Sequence, residues 1–156
     1  MKSKMDASAL YQVAEIELIY KSKVKASDRP KISSSKDAYD VLIQSWDKNK
    51  IEFVEQFKVL FLNRANKILG IYEVSTGGLS GTVADLRVIF VAALKANCCQ
   101  IIISHNHPSG HLKPSRQDEE LTQKIKHGGE FLEIKLLDHV IIAKENYFSF
   151  ADEGLI

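Results

Sequence analysis

The sequence is poor in cysteine, and this shortage excludes whole classes of protein. Its only two cysteines, Cys98 and Cys99, are adjacent. Neighbouring cysteines do not form an ordinary disulfide, and they supply no CxxC pair for a metal. A disulfide-stabilised secreted scaffold and a cysteine-ligated metal site are therefore excluded. We expect both thiols to pack as small apolar side chains in a reducing cytoplasm.

The chain also lacks an excess of charge and a long apolar run. Its 21 basic residues are balanced by 20 acidic residues, so net charge does not support direct DNA binding or a membrane-surface partner. No apolar run approaches the roughly 18 residues that a membrane-spanning helix needs. Residues 1–12 lack the apolar core of a secretory signal. We therefore expect a cytoplasmic protein without a membrane partner, in which any contact with DNA requires a local basic patch.

Internal repeats and low-complexity tracts are absent as well. The 156 residues, 45% of them hydrophobic, suffice for one well-packed domain and are too few for two. Residues 13–22 alternate apolar and acidic side chains, which predicts a half-buried strand. Residues 21–36 are rich in lysine, serine and proline and are typical of a linker. We expect an N-terminal strand and basic linker over residues 1–31 and a single domain over residues 32–156.

Three segments of the domain have the apolar spacing of helices. The first is predicted over about residues 36–47, with Ser35 as its N-cap. The second lies within residues 83–97, where apolar side chains form one stripe. The third covers residues 116–129, with acidic residues in its first turn and a Gly-Gly stop at its end.

Strand-type runs alternate with these helices. Two of them are joined by the polar sequence NRANK, which predicts a hairpin. The predicted strands lie in residues 55–63, 67–75 and 98–104, with two more within 131–150. Strands and helices that alternate in this way, together with a hairpin, predict an α/β (α+β) fold with a mixed sheet flanked by helices.

The richest chemistry follows the apolar run at residues 101–103. His105 and His107 are two residues apart in an extended segment, so their side chains project from the same side. Pro108 favours this, because the residue before a proline avoids the helical region. A Pro/Gly turn then leads to Asp118 in the first turn of the next helix. Two histidines, one carboxylate and one water would make a four-coordinate zinc site with an open position.

The same residues have a purely structural interpretation. Pro-Ser-Gly at residues 108–110 is a turn sequence, and Ser115 with Asp118 resembles a helix capping box. An isolated HxH pair is common by chance. Taken residue by residue, the segment leaves both interpretations open.

The complete string distinguishes them. His105, His107, Ser115 and Asp118 form the pattern H-x-H-x(7)-S-x(2)-D, which resembles the motif of the JAMM/MPN-domain metalloproteins. The sequence HNHPSG resembles the RadC branch of that superfamily in particular. The resemblance extends from about Ile32 to Phe150, and it implies a single MPN/JAMM-like domain with a cytidine-deaminase-like fold.

The resemblance also implies a role for each motif residue. His105, His107 and Asp118 would ligate Zn²⁺, and Ser115 would polarise the substrate carbonyl or hold its oxyanion. A glutamate further upstream would be the general base. We assign that role to Glu55, because the family's glutamate precedes a run like FKVLFLN by two residues, and we keep Glu52 as the alternative.

The reaction implied by the resemblance is hydrolysis of a peptide or isopeptide bond in a peptide or protein substrate. Two rival functions remain. One is a DNA-repair or mobile-element accessory protein that binds nucleic acid or a repair protein without peptidase activity. The other is an inactive scaffold. RadC-like proteins commonly carry an N-terminal helix-hairpin-helix region associated with DNA, and residues 1–31 contain no such pattern.

The remaining histidines and their neighbours receive structural interpretations. We expect His111, a departure from the RadC-like loop, to be an exposed loop residue. His127 suits a helix C-terminus. Asp138 and His139 form a family-like pair on a strand, for which we predict hydrogen bonds to the backbone.

Overall fold

A mixed sheet of five strands lies at the centre of the molecule. The structure, a computed structural model, describes residues 14, 16–17, 19–77 and 83–156. The strands are β1 (Gln56–Leu62), β2 (Ile68–Thr76), β3 (Gln100–Asn106), β4 (Lys135–Ile142) and β5 (Tyr147–Ser149). Their order in the sheet is β2-β1-β3-β4-β5; β3 and β4 run parallel, and the other neighbouring pairs are antiparallel. The predicted mixed sheet of an α/β fold is therefore confirmed.

Helices cover both faces of this sheet. They are α1 (Ser35–Ser45), α2 (Leu86–Lys95) and α3 (Arg116–Phe131). Two separate apolar clusters result, one under α1 and one under α2 and α3. Successive residues of β3, the central strand, belong to opposite clusters, because side chains alternate between the two faces of a sheet. Ile102 packs towards α1, whereas Ile101 and Ile103 pack towards α2 and α3.

The first helix begins and ends earlier than the sequence predicts. Its N-cap is Ser34, whose side chain accepts a hydrogen bond from the backbone N–H of Asp37, so the prediction of Ser35 as the cap is wrong by one residue. The helix ends at Ser45, two residues before the predicted Asp47. Three consecutive serines offer equivalent capping side chains, and only the backbone conformation selects among them.

The third helix does not stop at its two glycines. It continues through Gly128 and Gly129 to Phe131 and ends where Glu133 adopts a left-handed conformation, with φ of 58°. The N–H of Ile134 bonds to the carbonyl of Gly129 at 2.7 Å, and the N–H of Glu133 bonds to that of Glu130 at 3.2 Å. These two bonds form a Schellman ending, so the prediction of a Gly-Gly stop is wrong.

The predicted N-terminal strand over residues 13–22 falls partly on residues that the structure does not describe. Its described residues, namely Ala14, Ile16, Glu17 and residues 19–22, form no strand, while Val13, Glu15 and Leu18 lie outside the described residues. The following segment is partly attached to the domain. Lys31 forms an isolated β-bridge with Lys67, and Ile32 is buried.

Cys98 is buried in the apolar cluster beneath α2, and burial raises the pKa of its thiol to about 11. This thiol therefore behaves as a small apolar side chain, as expected. Among the described residues, no helix combines the length and apolar character needed to cross a membrane.

Candidate metal centre

Three distant parts of the chain meet at one end of the sheet. Because β1 is antiparallel to β3, the start of β1 lies beside the end of β3, and Phe57 pairs with His105. Glu55 immediately precedes β1, so it is delivered to the same end as the histidines. The first turn of α3 is the third part, and it returns to this end after the loop that follows β3.

The two histidines converge as their spacing predicts. The Nε2 atoms of His105 and His107 are 2.9 Å apart. His105 is buried and stacks on the ring of Phe57, whereas His107 is half-buried. Ligand-type atoms of Glu55, His105 and His107 all lie within 4.8 Å of one another. This group could hold a metal ion.

Asp118 faces both imidazoles. Its Oδ1 lies 3.2 Å from Nε2 of His105, and its Oδ2 lies 3.4 Å from Nε2 of His107. A capping box orients the carboxylate, because Oδ2 also accepts a hydrogen bond at 2.8 Å from the backbone N–H of Ser115. The capping and metal-site interpretations of this segment are therefore compatible, since the cap aims the carboxylate at the histidines.

Ser115 is the N-cap of α3 and is exposed. Its hydroxyl oxygen accepts a hydrogen bond at 3.1 Å from the backbone N–H of Asp118. Accepting this bond does not consume the hydroxyl proton. Ser115 can therefore cap the helix and still donate to a ligand oxygen.

The two candidate glutamates occupy different environments. Glu55 is half-buried and belongs to the group formed with His105 and His107. Glu52 is exposed and forms an ion pair with Lys144 at 3.4 Å, outside that group. Of these two glutamates, Glu55 is therefore the one that lies beside the histidines.

Asn106, the residue between the two histidines, has a structural role that was not predicted from the sequence. Its buried amide donates to the carbonyls of Ile51 and Val54 at 2.7 and 2.8 Å, and its Oδ1 accepts from the N–H of Gln56 at 2.7 Å. The two residues that flank Glu55 are thus fastened to the histidine strand. An amide at the end of a buried strand was the available signal, since buried polar groups need partners.

Asn106→Ala is expected to lower the free energy of unfolding by about 2 kcal/mol, because three backbone groups lose their partner and two of these hydrogen bonds are buried. Urea denaturation measures this loss. Asn49→Ala is the matched control, since Asn49 is exposed and its side chain should contribute little. Equal stability of the two variants would show that Asn106 does not hold the segment around Glu55.

His139 also differs from its predicted role. Its ring nitrogens contact side chains, with Nε2 2.8 Å from Nδ1 of His105 and Nδ1 2.7 Å from Oγ1 of Thr122. The prediction of a backbone hydrogen bond is therefore wrong for the His139 side chain. It is confirmed for Asp138, which accepts from the backbone N–H groups of His139 and Ala151.

The other two histidines lie outside the group. His111 is exposed, as predicted, and its carbonyl accepts a hydrogen bond from Nδ1 of His107 at 2.6 Å. His127 is exposed on α3 one turn before the end of the helix.

The pKa values in this group are shifted because the carboxylate of Asp118 lies beside two imidazoles and because His139 is buried. Burial alone would raise the pKa of Asp118, but in the metal-free site hydrogen bonds donated from Nε2–H of His105 and His107 outweigh it and hold that pKa well below its usual range. The hydrogen bond to Asp118 correspondingly raises the pKa of His107, although burial opposes the shift. For His139, complete burial and then the nearby His105 lower the pKa well below its usual value.

These residues fit a zinc ion chemically. Nδ1 of His107 donates to a carbonyl, which leaves the lone pair of its neutral ring on Nε2, the atom that faces His105 and Asp118. Two imidazole nitrogens and a carboxylate oxygen are ligands that zinc accepts in catalytic sites. Held together without a metal, their lone pairs would repel unless protons were shared among them.

Comparison with known proteins adds a family-level match. The sequence model of the RadC-like JAB domain matches residues 32–155. This range contains every candidate site residue described above.

Several curated relatives of the chain, from bacteria and an archaeon, have the name UPF0758 protein. One from Flavobacterium johnsoniae is 40% identical over 151 residues, covering 96% of this chain and 65% of the relative. One from Porphyromonas gingivalis is 46% identical over 65% of this chain and 45% of the relative, and one from Methanosarcina mazei is 40% identical over 81% and 54%. The matched part of the chain thus spans about half to two thirds of the length of these relatives.

Proposed function

Because the chain belongs to the RadC-like JAB domain family, we propose that it is a zinc-dependent hydrolase of peptide or isopeptide bonds. One observation carries the proposal. Glu55, His105 and His107 gather at one end of the sheet, with Asp118 beside both imidazoles. His105, His107 and Asp118 would hold the metal, which leaves Glu55 to handle protons.

When bound, zinc would lower the pKa of a water molecule to about 7 and act as a Lewis acid. The protein's own groups have distinct parts in the reaction. Glu55 takes a proton from the attacking water and delivers it to the leaving amine, as a general base and then a general acid. Ser115 donates a hydrogen bond from its hydroxyl group to the oxygen on which negative charge develops.

The site is open to solvent on one side. The side chains of His107 and Asp118 each keep 16% of their surface exposed, while His105 beneath them is only 3% exposed. A substrate carbonyl can therefore approach from the side of His107 and Ser115. The buried side is closed by protein.

The metal is the first part of the proposal to test. Metal-free protein titrated with zinc is expected to bind one equivalent, and His107→Ala is expected to lose most of this affinity because it removes a ligand. His127→Ala is the matched control, since it removes an exposed histidine away from the group. The measurement is competition with a chromophoric chelator.

Hydrolysis is the second part. Zinc-loaded wild type is expected to cleave members of a fluorogenic peptide and isopeptide library, to stop after chelation and to recover when zinc is restored. Absence of zinc uptake by wild type would overturn the proposal. Cleavage that persists after complete removal of the metal would also contradict it.

A further inference from the structure

We infer that Thr122 and His139 form a positioning relay that fixes the proton of His105 on Nδ1 and thereby turns its Nε2 lone pair towards the zinc. The inference rests on the proposed function for the identity of the metal. Neither Thr122 nor His139 contacts the metal position in this arrangement. They would act through His105.

The relay starts at Thr122 in α3. Its single hydroxyl proton is committed, because Oγ1 lies 2.6 Å from the backbone carbonyl of Asp118, which can only accept a hydrogen bond. The same Oγ1 lies 2.7 Å from Nδ1 of His139. With its own proton used, the oxygen must accept there, so Nδ1 of His139 carries a hydrogen.

His139 passes this constraint to the next ring. It is fully buried, with Thr122 and His105 as the hydrogen-bond partners of its ring nitrogens. A buried imidazolium that lacks a directly bonded carboxylate is costly, so His139 is neutral and its Nε2 carries a lone pair. Nδ1 of His105, 2.8 Å away, must therefore donate to it.

The consequence for His105 is a defined tautomer. With the proton on Nδ1, the neutral ring has its lone pair on Nε2, the atom that faces His107 and Asp118. His107 reaches the same state by a shorter route, because its Nδ1 donates to the carbonyl of His111. Ligating histidines commonly donate their second ring N–H to such a partner, which sets the tautomer and the ring orientation.

The relay also links the position of one proposed ligand to that of another. Thr122 donates to the carbonyl of Asp118 at one end of the relay, and the ring of His105 at its other end places Nε2 beside the carboxylate of the same Asp118. The ring of His139 is held between these partners by stacking on Phe150, with ring centroids 4.5 Å apart and planes 14° from parallel. Loss of the relay should therefore loosen His105 relative to α3.

Two substitutions break the relay in different places. Thr122→Val keeps the side-chain shape and removes the hydroxyl, and Thr122→Ser is its matched rescue variant because it keeps the hydroxyl. His139→Phe keeps the stacking ring and removes both nitrogens. Ser104→Ala controls for the loss of an unrelated buried hydroxyl bond, since Ser104 donates to the carbonyl of Val140 at 2.7 Å.

Zinc affinity, measured by chelator competition, is the first readout. Thr122→Val and His139→Phe are expected to weaken zinc binding about 10- to 100-fold, the range usual for loss of such supporting partners. Thr122→Ser and Ser104→Ala are expected to bind as wild type does. Each variant is compared after urea denaturation has confirmed that it is folded under the conditions of the titration.

The second readout does not depend on metal. In ¹⁵N-labelled protein, a coupling across the hydrogen bond between Nδ1 of His105 and Nε2 of His139 is expected in wild type and Thr122→Ser. It should be absent in His139→Phe. A merely structural role for His139 would not require the hydrogen on Nδ1 of His105.

The outcomes separate this inference from the proposed function. Wild type that binds no zinc contradicts the proposed function. Wild type that binds zinc, with unchanged affinity in folded Thr122→Val and His139→Phe, overturns the relay and leaves the proposed function standing. A spectrum in which Nδ1 of His105 carries no hydrogen overturns the relay directly.

Discussion

Glu55→Gln is expected to bind zinc as wild type does and to hydrolyse substrate about 10²- to 10⁴-fold more slowly, the usual contribution of a general acid or base. The amide keeps nearly the same shape and cannot take up a proton from water at neutral pH. The variant therefore tests proton transfer without deleting a side chain. Single-turnover cleavage and a zinc titration, measured on the same preparation, check the two halves of the prediction.

The chain supplies a matched control for this experiment. Glu52→Gln makes the same chemical change three residues earlier, at an exposed glutamate that pairs with Lys144. It should leave both hydrolysis and zinc binding unchanged. If Glu55→Gln instead lost zinc, Glu55 would be a ligand, in line with its closeness to the two histidines, and Asp118 would need another role.

Gly129→Ala is expected to destabilise the protein by about 3 kcal/mol or more, although alanine usually stabilises a helix relative to glycine. A Cβ at this position would lie 2.2 Å from the backbone carbonyl oxygen of Ile134. That oxygen belongs to the main chain just after the helix ending, so it cannot move away as a flexible side chain could. To move the added Cβ away from this oxygen, α3 would have to shift relative to the segment that leads into β4.

Urea denaturation compares this variant with Gly70→Ala in β2. A Cβ at Gly70 meets no atom within 4 Å, so the control should be nearly neutral. Similar unfolding midpoints for the two variants would contradict the close approach of α3 to Ile134. A change in the slope with urea would indicate an altered unfolded state instead.

The sequence predicted the elements whose signals are local. The β1–β2 hairpin follows from two apolar runs and a short polar turn, and the start of α3 follows from Ser115 and Asp118, three residues apart. The end of α3 was predicted wrongly because the glycine signal there is tertiary. Gly129 is needed for the approach of Ile134, and the chain leaves the helix only at Glu133.

The same distinction applies to the site. His105 and His107 converge because a two-residue spacing in extended chain determines their common side. Asn106 escaped prediction because its partners lie about fifty residues earlier and meet it only through the pairing of β1 with β3. The backbone role predicted for His139 failed for a related reason, since its partner Thr122 lies on α3, 17 residues earlier.

The alternation of β3 has a consequence for how the chain can change in length. Ile103 and His105 face α2 and α3, whereas Ser104 and Asn106 face the other way. Deleting one residue from this strand would exchange the two rows. The imidazole of His105 would then enter the apolar layer under α1, and the amide of Asn106 would leave the carbonyls that it supports.

An insertion in the turn at residues 63–67, at the far end of β1, would leave the pairing of β1 with β3 intact. Tolerated insertions and deletions should therefore concentrate at that turn and be excluded from β3.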